Sequence, residues 1–107
     1  MTYNGWTNYE TWLTNLHFED FTPCFEDEAE NGIFDDMSDD EITDHVADFI
    51  ETYVTDYISE AVRTEDNFIF DVIQSFIGEV DWSDIAQHYV ADIIVEVAMR
   101  NKDKEAV

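Results

Sequence analysis

The sequence predicts an all-α fold, a single small domain of about four helices. Apolar side chains recur every three or four residues along several stretches, which is the spacing of one face of a helix. Residues that cap helices precede these stretches. Turn residues are scarce, with three Gly and one Pro in 107 residues, and no segment alternates cleanly with the period of two expected of a half-buried strand. Two short segments, 68–70 and 93–95, have a strand-like composition.

The composition indicates that the chain folds despite its charge. Hydrophobic residues make up 45% of it and aromatic residues 15%, whereas disordered acidic segments are poor in both. A length of 107 residues suits one domain, spanning 1–107, with a core of its own.

The first helix is predicted at about 8–19. Thr7 and Glu10 have the spacing of a capping box, in which each side chain accepts a hydrogen bond from the backbone N–H of the other residue. Four apolar residues then share one face of this helix: Tyr9, Trp12, Leu13 and Leu16.

An irregular acidic loop is predicted over about 20–37. Pro23 and the pair Asn31–Gly32 are turn signals, and the acidic run between them shows no helical spacing. Cys24, the one cysteine of the chain, cannot form an internal disulfide, which is typical of proteins in a reducing compartment.

The second helix is predicted to begin after Ser38 and to reach Val62. Ser38 and Glu41 form a second capping box, and the acids of the first turn suit the positive end of the helix dipole. The predicted apolar face consists of Ile42, Val46, Phe49, Ile50, Tyr53 and Tyr57.

The third helix is predicted at about 65–77, with Thr64 as its cap and Gly78 as its end. Its apolar residues are numerous for so short a helix, and we expect them to be buried. They are Phe68, Ile69, Val72, Ile73, Phe76 and Ile77.

The fourth helix is predicted at about 82–100, opened by Asp81 and Asp84, and followed by a frayed tail over about 101–107. Its apolar face is broad enough for a central position, with Ile85, Ala86, Tyr89, Val90, Ile93, Ile94 and Val97. The core that the four helices share is predicted to contain Trp12, Phe49, Tyr53, Phe76, Ile85, Tyr89 and Ile93.

Acidic residues dominate the first part of the chain. Residues 1–62 contain 17 Asp and Glu and no Lys or Arg, and so carry −17. Residues 63–107 contain ten acids and four basic residues, and so carry −6, which completes the net charge of −23. Because like charges repel each other in a compact chain, an excess this one-sided indicates a function for the acidic surface.

The second helix is predicted to carry an acidic stripe opposite its apolar face, formed by Glu41, Asp44, Asp48 and Glu51. Asp40, Asp44 and Asp48 rise about 6 Å per step along the helix axis. This step is of the order of the phosphate spacing on a DNA strand, about 3.4 Å of axis per charge plus the helical path. The stripe has none of the Glu–Lys pairs that an ordinary solvated helix face carries.

We therefore predict an acidic nucleic-acid mimic, a cytoplasmic inhibitor of a basic nucleic-acid-binding host protein, in an anti-restriction, anti-CRISPR or similar host-takeover role. No direct binding to nucleic acid is expected, because phosphate contacts need Lys and Arg. No membrane association is expected either, because the apolar runs are too short, and no secretory signal is visible. The predicted partner-binding residues are Asp35, Asp36, Asp39, Asp40, Glu41, Asp44, Asp48 and Glu51.

The acidic charge also fits two alternative roles. An acidic regulatory protein would bind a basic patch on a host metabolic enzyme. A salt-adapted structural protein would need no partner, but adaptation to high salt should act on the whole surface, whereas the charge is −17 in one part and −6 in the other.

No metal site, cofactor or catalytic residue is predicted, and the chain is not expected to be an enzyme. The best calcium-loop register starts at Asp27 and places Gly32 sixth, but Ala29 and Ser38 occupy the third and twelfth positions, where ligands belong. Carboxylates are so numerous that no pair of them is specific for acid–base catalysis.

Two segments, one near each end, resemble a known group of proteins. Residues 3–12 contain the motif Trp-Thr-Asn-Tyr-Glu-Thr-Trp, and residues 80–89 contain Trp-Ser-Asp-Ile-Ala-Gln-His. The first resembles the opening of small uncharacterised proteins encoded by phages and other mobile elements. The second is similar to their Trp-x-Glu-Ile-Ala-x-His segment, with Asp84 in place of Glu. The resemblance implies a viral or mobile-element origin, and bulky residues of both segments are expected to lock helices together.

Overall fold

The computed structural model of the protein describes residues 2–18, 20–63 and 65–105. These residues form five helices and no β-strand, so the predicted all-α fold is confirmed, with one helix more than expected. In the described ranges, no helix is both long enough and apolar enough to cross a membrane. The helices are α1 (Tyr9–His17), α2 (Thr22–Glu30), α3 (Asp39–Ala61), α4 (Asn67–Glu79) and α5 (Trp82–Glu105).

α1 is capped by Asn8, one residue later than predicted. The Oδ1 atom of Asn8 accepts a hydrogen bond from the backbone N–H of Thr11 at 2.9 Å, so the predicted Thr7–Glu10 capping box is wrong. Thr7 does not cap α1 because its backbone N–H and its hydroxyl contact Asp84 at the start of α5.

The prediction of an irregular loop over 20–37 is wrong, because α2 occupies the middle of this segment. Pro23 lies in the first turn of α2, where a residue without an N–H loses no helical hydrogen bond. The predicted turn at Asn31–Gly32 lies directly after α2. Gly32 has a φ of +82°, in the left-handed region that favours glycine. Phe25 and Phe34, both from this segment, are among the largest fully buried side chains.

The capping box at the start of α3 is confirmed. The Ser38 hydroxyl accepts a hydrogen bond from the Glu41 N–H at 3.2 Å, and the Glu41 carboxylate accepts one from the Ser38 N–H at 3.1 Å. Tyr53 and Tyr57 are more than half exposed, so the predicted place of Tyr53 in the core is wrong. They contact Phe18 edge-on at the rim of the core. The buried residues advance one helical turn at a time, as Ile42, Val46, Ile50 and Val54.

The core lies mainly between α3 and α5, with α2 packed against α5. Trp12 is not part of it and packs instead against Tyr3 and Tyr9. Tyr53 is also outside the core, at its rim. The remaining side chains of the predicted core are buried or partly buried there: Ile85 and Ile93, and Phe49, Phe76 and Tyr89.

α4 differs most from its prediction. Its N-cap is Asp66, whose carboxylate accepts hydrogen bonds from the backbone N–H groups of Phe68 and Ile69; the predicted cap, Thr64, lies outside the described residues. The helix does not stop at Gly78 but continues to Glu79. None of its residues is buried, so the predicted burial of its apolar face is wrong.

α5 begins where predicted and runs further. The Asp81 Oδ1 atom accepts a hydrogen bond from the Asp84 N–H at 3.0 Å, which confirms the predicted start. The helix continues to Glu105, so residues 101–105 are helical, and the frayed tail predicted over them is wrong. Residues 106–107 lie outside the described part of the chain.

Candidate functional site: the acidic face of α3

The first three turns of α3 present a set of exposed carboxylates. Helix geometry places Asp40, Asp44 and Asp48 within an arc of about 80°, at 100° per residue, and about 6 Å apart along the axis. The line of buried residues lies on the other side of the helix. The exposed acids predicted to bind a partner are Asp36, Asp39, Asp40, Glu41, Asp44 and Asp48.

We call the three carboxylates of Asp40, Asp44 and Asp48 the acidic ladder. The ladder is held firmly, because the Ser38–Glu41 capping box fixes the first turn beneath it. The helix therefore fixes the backbone that carries the ladder, and only the short Asp side chains need to be ordered on binding.

Glu51 does not belong to the exposed ladder. It is half-buried, although helical spacing places it beside Asp44 in the predicted stripe. The reason is that the buried residues of α3, from Ile42 to Val54, follow one another in steps of four. Four residues turn the helix by about 400°, so each buried residue lies about 40° further round the helix axis than the one before it. By the level of Val54, this rotation has brought the core to within about 60° of Glu51.

Asp35 serves the fold. Its Oδ2 atom accepts a hydrogen bond from the Arg100 guanidinium at 2.6 Å, and both side chains are more than two-thirds buried. This ion pair ties the C-terminal part of α5 to the turns that follow α2. The partner-binding role of Asp35 stays a prediction, although its carboxylate is already paired within the fold, whereas its neighbour Asp36 is exposed.

α2 carries further carboxylates close to α3. The Oε2 atom of Glu28 lies 2.9 Å from the Nε2 atom of His45, and this contact fixes α2 beside the N-terminal half of α3. Three other acids of α2 are exposed to solvent: Glu26, Asp27 and Glu30. The acidic face is thus the ladder with these flanking groups.

The described Lys and Arg side chains do not neutralise this face. Arg100 is paired with Asp35, and Arg63 and Lys102 are exposed without an ion pair to α3. Among the side chains that the structure describes, no Lys or Arg pairs with an acid of α3. Fixed charges of one sign without internal partners produce a strong local potential that attracts a basic surface.

The two end segments meet in a second polar cluster, which we call the end clasp. The Thr7 hydroxyl lies 2.9 Å from carboxylate oxygens of both Asp81 and Asp84, and the Thr7 N–H donates to Asp84 at 2.8 Å. The buried hydroxyl of Thr11 accepts a hydrogen bond from the Asp81 N–H at 2.8 Å. The Asn8 amide donates to the Glu79 carbonyl at 2.6 Å.

An aromatic contact completes the end clasp. The indole of Trp6 stacks on the imidazole of His88, with ring centroids 4.1 Å apart. Trp6 is positioned by a tight turn in which Asn4 and Gly5 both have positive φ and Tyr3 and Trp6 exchange two backbone hydrogen bonds of 2.8 Å. Thr7, Asn8, Thr11 and the Trp6 ring all have partners within the fold, which indicates a structural role for both motifs.

The chain matches the model of a protein family over almost its whole length. The model of a family of unknown function, DUF7249, matches residues 1–104. The chain belongs to DUF7249. No curated protein and no solved structure matches it. The match spans both halves of the end clasp and the acidic face, so both features lie inside the region that defines the family.

Sequence reasoning missed the contact between the two ends of this DUF7249 chain. A signal was present: short polar side chains at the start of α1 and two carboxylates at the start of α5 have complementary hydrogen-bonding groups. Nothing in the spacing of either segment shows that the other is its partner, since the two are more than 70 residues apart. In the described part of the chain, no three His, Cys, Asp or Glu side chains are grouped as a metal site requires.

Proposed function

We propose that the chain is an acidic nucleic-acid mimic that inhibits a host protein by occupying its basic nucleic-acid channel. The observation that carries the proposal is the acidic ladder: three exposed carboxylates on one face of a capped helix, with no described Lys or Arg paired to them. A channel that binds phosphates has Lys and Arg side chains at intervals along its floor. The ladder offers those cations fixed anions at a comparable interval.

The proposed mechanism begins with long-range attraction. A chain with a net charge of −23 is steered toward a positive cleft, which raises the association rate at low salt and makes it fall as salt is added. Once the helix is seated, the carboxylates accept charge-assisted hydrogen bonds from Lys and Arg. Each such bond contributes about 1.5–3 kcal/mol. The flanking acids of α2 would add mainly to steering, because charges at a wet rim contribute little affinity.

The biological setting follows from the resemblance of the end segments to proteins of phages and mobile elements. Such an element gains from blocking a host protein that handles nucleic acid, for example a restriction enzyme, a CRISPR effector, a nucleoid protein or a polymerase. These proteins share a basic channel, and the proposal rests on that shared chemistry.

The experiment that tests the proposal is capture from host lysate on immobilised protein at low and at high salt. The variant is Asp40→Asn, Asp44→Asn and Asp48→Asn together, which removes the ladder and keeps the size of each side chain. The matched control removes the same number of charges from exposed sites elsewhere, through Asp56→Asn, Glu60→Gln and Asp92→Asn.

We expect the wild type and the control to retain a basic, nucleic-acid-binding protein at low salt and to release it at high salt, and the ladder variant to lose it. Equal retention by the ladder variant and the control would show that the ladder is only a solvated helix face. Retention of a basic protein that binds no nucleic acid would favour a regulatory role on some other enzyme.

A further inference from the structure

A groove of about 240 Å³ lies between α2 and α5, and we call it the α2–α5 groove. The residues of α2 that line it recur at the spacing i, i+3, i+4 and i+7, and so do most of those of α5. This spacing keeps each set within about 100° of its helix, so the two sets face each other along one continuous cleft. The apolar side chains of the groove are Phe25 and Ala29 from α2, and Tyr89, Ile93 and Val95 from α5.

Three acidic residues line the same groove: Glu26 of α2, and Asp92 and Glu96 of α5. Among the side chains that the structure describes, no Lys, Arg or His pairs with any of them. Arg100 lies one helical turn beyond Glu96 but pairs with Asp35 instead. A carboxylate beside apolar side chains is hydrated less well than one in open water, and its attraction to a cation is stronger. The groove therefore favours a positively charged occupant.

The separation of the three carboxylates decides what kind of cation fits. Asp92 and Glu96 are one turn apart on α5, about 6 Å along the axis, and Glu26 belongs to the opposite helix. In the residues that the structure describes, no three His, Cys, Asp or Glu side chains come together as a metal ion requires. The groove is therefore suited to a ligand whose positive charges are themselves separated, with hydrocarbon between them that buries against the apolar side chains.

A linear polyamine has this chemistry. Its ammonium groups donate charge-assisted hydrogen bonds to carboxylates, and the methylene groups between them contact apolar side chains. The size of the groove agrees with such a ligand. At about 240 Å³ it is smaller than the roughly 300–1,000 Å³ of pockets that hold drug-sized ligands, which suits a thin, unbranched chain better than a peptide backbone with its side chains.

We propose that the α2–α5 groove binds a linear polyamine, with its ammonium groups at Glu26, Asp92 and Glu96 and its methylene groups over the apolar floor. Because these carboxylates belong to two helices, the ligand bridges α2 and α5 and should raise the Tm of the domain. The site shares only Glu26 with the acidic face and includes no residue of the acidic ladder. The proposal does not depend on the proposed function.

The test is isothermal titration calorimetry of the full chain with spermidine at moderate salt, where loose attraction to the net charge of −23 is screened. We expect a single saturable site on each chain. The groove variant, Glu26→Gln, Asp92→Asn and Glu96→Gln together, should bind spermidine at least tenfold more weakly. The matched control is the variant with Asn at 40, 44 and 48, which loses the same number of charges from the ladder and should bind spermidine as the wild type does.

Two competitors separate polyamine binding from other kinds of attraction. Magnesium has a compact charge and no hydrocarbon, so at equal ionic strength it should leave spermidine bound. Displacement by magnesium as readily as by a second polyamine would assign the binding to the loose ion atmosphere and overturn the proposal. An oligolysine peptide carries the same ammonium groups on a peptide backbone. Tighter binding of this peptide than of spermidine in the groove would assign the groove to a basic protein segment, and would overturn the proposal as well.

Circular dichroism should show that the groove variant stays helical, since each amide keeps the size of the carboxyl group it replaces. If the variant unfolds, NMR of the wild type supplies the answer. Spermidine should then shift the signals of Tyr89 and Val95 and leave those of residues 40, 44 and 48 in place. Shifts confined to the ladder, the absence of a saturable site, or equal binding by the groove variant and the ladder variant overturns the proposal.

Discussion

The end clasp makes a quantitative prediction about stability. Thr7→Val keeps the shape and the β-branching of the side chain and removes the hydroxyl that lies 2.9 Å from both Asp81 and Asp84. A hydrogen bond to a carboxylate contributes about 1.5–3 kcal/mol. Thr7 is exposed, so water replaces part of this contribution, and we expect a loss of about 1 kcal/mol. In a domain of this size, that loss lowers the Tm by roughly 4–8 °C.

The assay is thermal and urea unfolding followed by circular dichroism, arranged as a double-mutant cycle of Thr7→Val and Asp84→Ala. The cycle removes the effect of Asp84 on the helix dipole and leaves the coupling between the two side chains. We expect a coupling of about 1 kcal/mol. Thr52→Val, an exposed threonine of α3 outside the clasp, serves as the control and should leave the Tm unchanged. Additive effects of the two clasp mutations would refute the view that the end motifs stabilise each other.

Other predictions concern the core, the ion pair and the charge. Phe34→Ala removes a fully buried side chain and should lower the free energy of unfolding, measured with urea, by about 3–5 kcal/mol. An unchanged midpoint of the urea transition would contradict the place of Phe34 in the core. Arg100→Gln should lower the free energy of unfolding by about 1–3 kcal/mol, because Asp35 loses its charged partner. The exposed control Lys102→Gln should lower it little, and equal losses would contradict the structural role of the pair. Melting curves across a salt series should show a folded domain at low salt and a moderate rise in Tm as repulsion is screened; a chain that folds only near molar salt would favour salt adaptation.

Local signals in the sequence are sufficient to predict much of the fold. The Ser38–Glu41 capping box and the start of α5 at Asp81 are correct because these features depend on residues within a single turn. The predicted loop over 20–37 is wrong because it takes Pro23 as a break, whereas a proline in the first turn of a helix is favourable. The burial of Phe25 and Phe34 depends on α2 packing against α5, which no local pattern reveals.

The packing of α4 shows a second limit of prediction from local sequence signals. Helical spacing correctly predicts the helix, but burial requires a neighbour on each apolar side, and α4 has α1 on one side and an open groove toward α3. The same limit applies to the acidic face. The ladder of Asp40, Asp44 and Asp48 follows from spacing alone, whereas the burial of Asp35 and Glu51 depends on tertiary contacts.

Displacement of nucleic acid from the captured host protein tests the proposed mimicry most directly. Labelled nucleic acid is bound to that protein, and the chain is added in increasing amounts. We expect the wild type and the Asp56/Glu60/Asp92 control to displace it stoichiometrically. The variant with Asn at 40, 44 and 48 should need at least a hundredfold higher concentration, since three lost contacts of about 1 kcal/mol or more each amount to that factor. Equal displacement by the variant and the control would contradict the proposal that the acidic ladder replaces phosphates.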